Sequence, residues 1–252
     1  MSEETKRFVT RSGVRLAARH RPAASPGDAP TLVFLPGLRS DMTGDKATAL
    51  AAFGDRHGLA TLRLDYSGHG ESEGRFEEGS IAVWRDDALA VIAALAPGRV
   101  LLVGSSMGGW IGLLAGVALG ARLAGLVGIA AAPDFTRAMA AGLDAAQNAA
   151  LDRGETVLLP AEPDPLPLTR AALDAGEACC VMDRPIRLSC PVRLLHGQRD
   201  AVVPWHTALA IAEQVESEDC RVVLVKDGDH RLSRPKDIAL LCETVASLAG
   251  RA

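Results

Sequence analysis

Residues Val100–Trp110 read VLLVGSSMGGW, in which apolar residues typical of a strand run directly into a Gly-x-Ser-x-Gly motif. Between a strand and a helix, such a motif is typical of a sharp turn that strains its central serine and exposes the hydroxyl. Ser106 is therefore the predicted nucleophile, at the N-terminus of a helix whose dipole favours developing negative charge. A second match, Gly70–Gly74 (GESEG), has no strand before it and no helix after it, and its two carboxylates would oppose ionisation of the serine.

Outward from this motif, short apolar runs alternate with helical patterns along most of the chain. Near the N-terminus, Arg7–Thr10 and Val14–His20 flank a Ser-Gly turn and indicate an antiparallel hairpin. The predicted parallel strands are Thr31–Leu35, Ala60–Leu64, Val100–Val103, Leu126–Ile129, Val192–Leu195 and Arg221–Val225. Helices are predicted at about 45–57, 80–96, 108–121, 205–216 and 235–249. This order predicts an α/β fold with a mostly parallel, doubly wound sheet.

The alternation stops in the segment 133–188, which is too long for an ordinary connection. Ala- and Leu-rich patterns predict helices over Arg137–Leu151 and Leu168–Ala175, separated by the proline-rich stretch LLPAEPDPLPL. We interpret 133–188 as a lid inserted into one core, which residues 1–132 and 189–252 would form. The alternative is a disordered surface insertion.

The composition excludes several classes of protein. The 252 residues are 48% hydrophobic, enough to bury a large core without disulfides or metal. A net charge of −4 and a pI of about 5.9 argue against nucleic acid or an anionic membrane as partner. The uncharged run Leu101–Ala121 is long enough to cross a bilayer, but its six glycines indicate a strand, a turn and a helix, so no membrane span is expected.

Cysteine usage and the N-terminus bear on the compartment. The five cysteines are odd in number and include the adjacent pair Cys179 and Cys180, which does not suit a secreted disulfide framework. The opening residues MSEETKRFVT contain no apolar run of the kind that a secretory signal needs. We therefore expect a cytoplasmic protein, as a monomer or homodimer. With no zinc-like spacing of cysteine and histidine, we expect no metal and no cofactor.

A serine nucleophile needs a base, and His230 is the best placed of six histidines. It follows the last predicted strand in the polar turn KDGDH, at the sheet edge that should also carry Ser106. His196 ends a strand before the candidate acid, so we expect it to be a buried hydrogen-bonding residue instead.

The third member of a triad is a carboxylate that orients the imidazole. Asp200 follows the strand Val192–Leu195 at the same edge of the sheet, and Asp134, one strand earlier, is the rival candidate. The order Ser106, Asp200, His230 is the Ser, Asp, His order of one class of serine hydrolase, unlike that of chymotrypsin or subtilisin.

Acyl transfer also needs two donors for the tetrahedral oxyanion. The backbone N–H of Met107, directly after the nucleophile, is one candidate. The loop after the strand Thr31–Leu35 should supply the other, and Leu38 is our choice because Gly37 allows the backbone to bend toward the serine.

With these residues in place, the chain resembles the α/β-hydrolase family along its whole length. The segments LPGLRSDMTGDKA, LRLDYSGHGESEG, LLVGSSMGGW, CPVRLLHGQRDAVVPWHT and GDHRLS, in this order, are similar to those of the mammalian mitochondrial acyl-glucuronide esterases that are also described as palmitoyl-protein thioesterases. The resemblance implies a Ser106, Asp200, His230 triad that hydrolyses thioesters or activated esters of a small molecule or an acylated protein. In the lid it extends little beyond Pro185–Cys190, so it leaves the identity of the substrate open.

Substrate-binding residues are predicted in two places. Phe135, Met139 and Met182 of the lid could line an apolar acyl channel or could simply pack the lid on the core. Arg39, beside the oxyanion loop, could meet a carboxylate such as that of a glucuronide, or could remain solvated. A lid-bearing serine peptidase and a non-catalytic receptor for a small ligand are the alternative functions.

Overall fold

The computed structural model describes residues 3–25 and 27–250. Its main element is an eight-stranded sheet in the order β1-β2-β4-β3-β5-β6-β9-β10. The strands are β1 (Thr5–Arg11), β2 (Val14–Arg21), β3 (Thr31–Leu35), β4 (Thr61–Leu64), β5 (Val100–Ser105), β6 (Leu123–Ile129), β9 (Val192–Gly197) and β10 (Cys220–Val225), with a separate hairpin of β7 (Val157–Leu159) and β8 (Leu166–Leu168). β2 pairs antiparallel with β1 and β4, and every later pairing in the large sheet is parallel. The predicted fold class is confirmed.

Eight α-helices surround the sheet in the described part of the chain: α1 (Asp45–His57), α2 (Ile81–Leu95), α3 (Met107–Leu119), α4 (Phe135–Ala141), α5 (Ala145–Asp152), α6 (Arg170–Ala178), α7 (His206–Gln214) and α8 (Pro235–Leu248). Alternate side chains of a strand point to opposite faces of the sheet. The inner strands β3, β4, β5, β6 and β9 are almost entirely buried, so both of their faces are covered, whereas the edge strands β1 and β10 are partly exposed. On β5, for example, Leu102 packs with α2 and α3, whereas Leu101 and Val103 pack with α1 and α8. The helices therefore form a layer on each side of the sheet.

The run Leu101–Ala121 divides between β5, a turn and α3. Within 3–25 and 27–250, no helix combines the length and the apolar character that crossing a membrane requires.

In the 133–188 segment, the helices begin and end at different residues from those that the sequence predicted. A single helix was predicted over Arg137–Leu151, but the chain forms α4 and α5 with a break between them. Asp144 causes the break, because its carboxylate accepts a hydrogen bond from the Gln147 N–H while the Gln147 side chain accepts one from the Asp144 N–H. In the same way Thr169 caps the start of α6, two residues after the predicted Leu168.

The hairpin of β7 and β8 was not predicted, because each strand has only three residues. A small apolar cluster of Leu151, Val157, Leu168 and Leu173 joins this hairpin to α5 and α6. The segment also contacts the core directly, since the Trp110 indole N–H donates to the Cys179 carbonyl at 3.1 Å.

Candidate active site

Ser106 lies in the turn between β5 and α3, where the backbone is strained. Its φ of 54° and ψ of −118° lie in a region that a residue with a side chain rarely adopts. Hydrogen bonds hold this conformation: the Ser106 N–H donates to the Ile129 carbonyl at 2.9 Å, and the Ser106 carbonyl accepts from the Gly109 N–H at 2.9 Å and the Ala132 N–H at 3.2 Å. The turn is thus fixed by β6 and the chain that follows it, and not by Ser106 alone.

The two motif glycines permit this close packing. A Cβ atom on Gly104 would overlap the Gly108 carbonyl oxygen, and one on Gly108 would overlap the Leu35 carbonyl oxygen. Both obstacles are backbone atoms of regular elements or their ends, which cannot turn aside as a flexible side chain can.

We expect Gly108→Ala to lower the free energy of unfolding by roughly 3 kcal/mol or more, because β3 and α3 must separate to admit the methyl group. Urea denaturation followed by tryptophan fluorescence measures the change. Gly98→Ala is the matched control, since an added Cβ there meets nothing within 4 Å, and it should change stability little. Equal effects of the two substitutions would contradict the close-packing account.

The structure brings Ser106, His230 and Asp200 into one hydrogen-bonded series. His230 Nε2 is 3.1 Å from Ser106 Oγ, and His230 Nδ1 is 2.8 Å from Asp200 Oδ2. The three residues follow β5, β10 and β9, whose carboxyl ends meet at one edge because these strands are parallel. The His230 side chain is 23% exposed, so the imidazole reaches the cavity, whereas the Asp200 side chain is fully buried.

The Asp200 carboxylate is held by backbone as well as by His230. Its Oδ1 accepts from the N–H groups of Val202 and Val203, each at 2.8 Å. Burial raises the pKa of Asp200, but the hydrogen bonds from Val203, His230 and Val202 outweigh that effect and leave this pKa below its usual value. The group is therefore ionised at neutral pH and faces the imidazole as an anion.

His196, predicted to be a buried hydrogen-bonding residue, has a side chain only 1% exposed. Its Nε2 lies 3.1 Å from Asp200 Oδ2 and 3.0 Å from the Val203 carbonyl oxygen. The sequence did not indicate that its partner is the acid facing His230.

Asp134, the rival acid, lies elsewhere. Its carboxylate accepts from the N–H groups of Val181 and Met182 at 3.0 to 3.2 Å. In the described residues, its hydrogen bonds tie the start of α4 to the end of the 133–188 segment and reach no histidine.

The two residues predicted to supply oxyanion donors are close to Ser106. Leu38 and Ser106 line the same polar cavity of about 230 Å³, and a Cβ on the preceding Gly37 would lie 3.4 Å from the Ser106 Cβ. Met107 is the first residue of α3, so its N–H has no acceptor inside the helix.

A second, largely apolar cavity is also lined by Leu38. Phe135 and Met139 line it, together with Phe76, Trp84 and Leu166. Met182 lines neither this cavity nor the polar one; it is half-buried and packs against the core cluster beneath α2 and α3.

Arg39 is exposed, and it does not line the polar cavity that holds Ser106. One of its guanidinium nitrogens donates to the Asp164 carbonyl, and another lies 3.6 Å from the Asp164 carboxylate. Asp164 stands in the connection between β7 and β8, so Arg39 joins the loop after β3 to the 133–188 segment.

Two cationic residues of the polar cavity were not singled out from the sequence. Arg231 directly follows His230, and Lys46 lies in the first turn of α1. Lys46 Nζ donates to the Arg231 carbonyl at 2.5 Å, which steadies the loop that carries His230. Burial lowers the pKa of Lys46, and the neighbouring charge of Arg231 lowers it further. Proximity of Arg231 to His230 in the sequence was the only available signal; Lys46 had none.

Among the described residues, no group of three or more His, Cys, Asp or Glu side chains could hold a metal ion. The chemistry that this site can perform with its own side chains is nucleophilic attack by a hydroxyl with an imidazole as proton acceptor.

The chain is similar to known hydrolases in both sequence and structure. A model described as the alpha/beta hydrolase family matches residues 32–239. The mitochondrial palmitoyl-protein thioesterase ABHD10 of Bos taurus is 38% identical over 225 residues, which cover 88% of this chain and 74% of the bovine one. A solved structure of a putative hydrolase from Agrobacterium vitis S4 has a TM-score of 0.91 and 38% identity over 99% of each chain. Alpha/beta hydrolase domain-containing protein 10 from mouse has a TM-score of 0.87 and 35% identity over 98% of this chain and 99% of its own.

Proposed function

We propose that this chain, which belongs to the alpha/beta hydrolase family, is a serine hydrolase that cleaves acyl thioesters and activated carboxylic esters. The observation that carries the proposal is the position of His230, whose two ring nitrogens lie within hydrogen-bond distance of Ser106 Oγ and Asp200 Oδ2. The similar proteins named as palmitoyl-protein thioesterases support a thioester substrate. A receptor without catalysis would have no need of this contact between imidazole and hydroxyl.

In the first stage, His230 Nε2 takes the proton of the Ser106 hydroxyl as Oγ attacks the carbonyl carbon. The carbonyl oxygen becomes an oxyanion, which accepts hydrogen bonds from the N–H groups of Met107 and Leu38. Asp200 stabilises the imidazolium without itself taking the proton. When the tetrahedral intermediate collapses, the bond to the leaving thiolate or alkoxide breaks, and His230 returns the proton to it.

In the second stage, water replaces the leaving group. His230 takes a proton from the water as its oxygen attacks the acyl carbon of the Ser106 ester, and the same two N–H groups hold the new oxyanion. Collapse breaks the bond to Ser106 Oγ, which regains its proton from His230, and the carboxylic acid is released. Thioesters and acyl glucuronides have good leaving groups, so this machinery is sufficient for them.

The two cavities divide the substrate between them. The apolar cavity lined by Phe76, Trp84, Phe135 and Met139 accepts the acyl chain, and the polar cavity beside Ser106 accepts the leaving group. The 133–188 segment, which supplies Phe135 and Met139, acts as the lid of the acyl side. The substrate is a small-molecule ester or an acylated protein, and no nucleic acid, membrane span or cofactor is part of the proposal.

The acyl assignment predicts that Met139→Trp lowers the ratio of kcat/KM for an octanoyl thioester to that for an acetyl thioester by about tenfold, because the indole fills the cavity. A series of acyl thioesters and matched oxygen esters of increasing chain length measures this ratio. Ala141→Trp, at an exposed position of the same helix that no apolar cavity uses, is the matched control. An unchanged ratio in Met139→Trp, or wild-type turnover that is highest on acetyl esters, would contradict the assignment.

A cytoplasmic location remains part of the proposal and is supported by the five cysteines, all of which are free thiols. The monomeric or homodimeric state also remains a prediction, which sedimentation of the purified chain would test.

A further inference from the structure

We infer that His196 is a positioning residue for the proposed reaction: it donates its Nε2–H to Asp200 Oδ2 and thereby fixes the carboxylate that faces His230. The inference rests on the proposed function, because it concerns the acid of that triad. Its basis is the placement of a second buried imidazole on the oxygen that already serves His230.

The hydrogen on His196 Nε2 is assigned by its neighbours. Nε2 lies 3.0 Å from the Val203 carbonyl oxygen, and a carbonyl oxygen can only accept. Nε2 must therefore carry a hydrogen, which it shares between Val203 and Asp200 Oδ2 at 3.1 Å. Because the His196 side chain is 1% exposed, water does not compete for this donor.

With the hydrogen bond from His196, each oxygen of the Asp200 carboxylate accepts two hydrogen bonds. Oδ1 accepts from two backbone N–H groups, and Oδ2 accepts from His230 and His196. Rotation of the carboxylate would break these bonds in a site with no solvent to replace them, so the four donors hold Oδ2 toward His230. His196 also joins Asp200 to Val203, which closes the short loop after β9 on the strand that bears His196.

His196 also reduces the negative charge on Asp200 Oδ2, the oxygen that faces His230. A donor on Oδ2 takes up part of the negative charge of that oxygen, so it weakens the pull of Asp200 on the imidazolium. Other charged side chains lie near the triad on the elements around it. They are Asp229 and Arg231 on the His230 loop, Arg199 next to Asp200, Asp41 in the loop after β3, and Asp45 and Lys46 at the start of α1. They stay in place when His196 is replaced.

The test compares His196→Leu, which fills the space without a donor, with His196→Gln, whose amide can still donate to Oδ2. Turnover of an acetyl thioester is measured from pH 5 to 9, per site titrated with a fluorophosphonate, so that only competent protein is counted. His69→Leu is the matched control: His69 is also buried, but its ring nitrogen contacts the Ser67 carbonyl and not the triad.

We expect His196→Leu to lose kcat about 10- to 100-fold, the effect of one charge-assisted hydrogen bond, with KM nearly unchanged. The acid limb of its pH profile should move to higher pH by about half a unit. His196→Gln should stay within about threefold of wild type with its profile in place, and His69→Leu should lower the melting temperature without moving the profile. If His196→Leu does not fold, His196→Asn, whose amide is too short to reach Oδ2, serves in its place.

The inference is overturned if the leucine variant keeps the wild-type kcat and profile, or if the leucine and glutamine variants lose kcat equally. Either result would leave the proposed function intact, provided that Ser106→Ala is inactive. Full activity in Ser106→Ala would instead overturn the proposed function itself.

Discussion

Replacing Ser106 with alanine is expected to lower kcat on an acyl thioester by about 10⁵- to 10⁶-fold, the largest single effect that the structure predicts. The alanine methyl group cannot attack the carbonyl carbon. The hydroxyl that lies 3.1 Å from His230 Nε2 in the wild type is gone, so the imidazole has no proton to take from residue 106. Substrate binding and the two N–H groups of the proposed oxyanion site remain, so activity above the uncatalysed rate should persist at a low level. Single-turnover kinetics with a chromogenic thiol assay would measure the loss, and a fluorophosphonate should label wild type but not the variant.

The matched control is Ser72→Ala, which removes the serine of the second Gly-x-Ser-x-Gly sequence. Ser72 Oγ donates to the Asp65 carbonyl at 2.7 Å and accepts from the Ala17 N–H at 2.8 Å, so its role is to hold a loop against β2. We expect a loss of about 1 kcal/mol in the free energy of unfolding and unchanged turnover per folded molecule. Activity and labelling that survive in Ser106→Ala would reject Ser106 as the nucleophile.

The second large effect is expected for Asp200→Asn, with a loss of about 10⁴-fold in kcat. The amide is similar in size to the carboxylate, but it removes the negative charge that stabilises the His230 imidazolium. The asparagine NH₂ group would face a donor on either side, because Oδ1 accepts from backbone N–H groups and Oδ2 accepts from His230 Nδ1–H. With the NH₂ group toward His230, Nδ1 would have to act as acceptor, and the hydrogen would move to Nε2, where Ser106 needs an acceptor. A pH profile and kcat of the folded variant measure the effect.

Asp134→Asn separates the two candidate acids. Its carboxylate accepts from the Val181 and Met182 N–H groups, so the substitution should weaken the attachment of the 133–188 segment and lower the melting temperature. Turnover should fall less than about tenfold. The reverse pattern, with loss in Asp134→Asn and retained turnover in Asp200→Asn, would assign the acid to Asp134.

The core of the fold was predictable because its signals are local. Buried parallel strands such as Leu101–Val103 are continuous apolar runs, and the carboxyl ends of such strands must share one edge. That rule was sufficient to expect Ser106, Asp200 and His230 together, although 124 residues separate the two that form the hydrogen bond between hydroxyl and imidazole.

The 133–188 segment was less predictable because distant contacts determine its structure. The partner of Arg39 is Asp164, 125 residues away, and no periodicity indicates such a pair. The sequence left Met182 open between lining an acyl channel and packing the lid on the core. In the structure its N–H donates to Asp134 and its side chain packs on the core. The residue type determines whether a side chain is polar, but tertiary contacts determine the direction in which it points.

β6 and β9 pair directly in the sheet, with Leu126 opposite Val192, so the intervening chain leaves and re-enters between adjacent strands. Because the two ends of this segment lie next to each other, its length and sequence can change while β6 and β9 stay paired. Under the proposed function, exchanging this segment between homologues should change the acyl-chain preference and leave the proposed nucleophile, Ser106, in place.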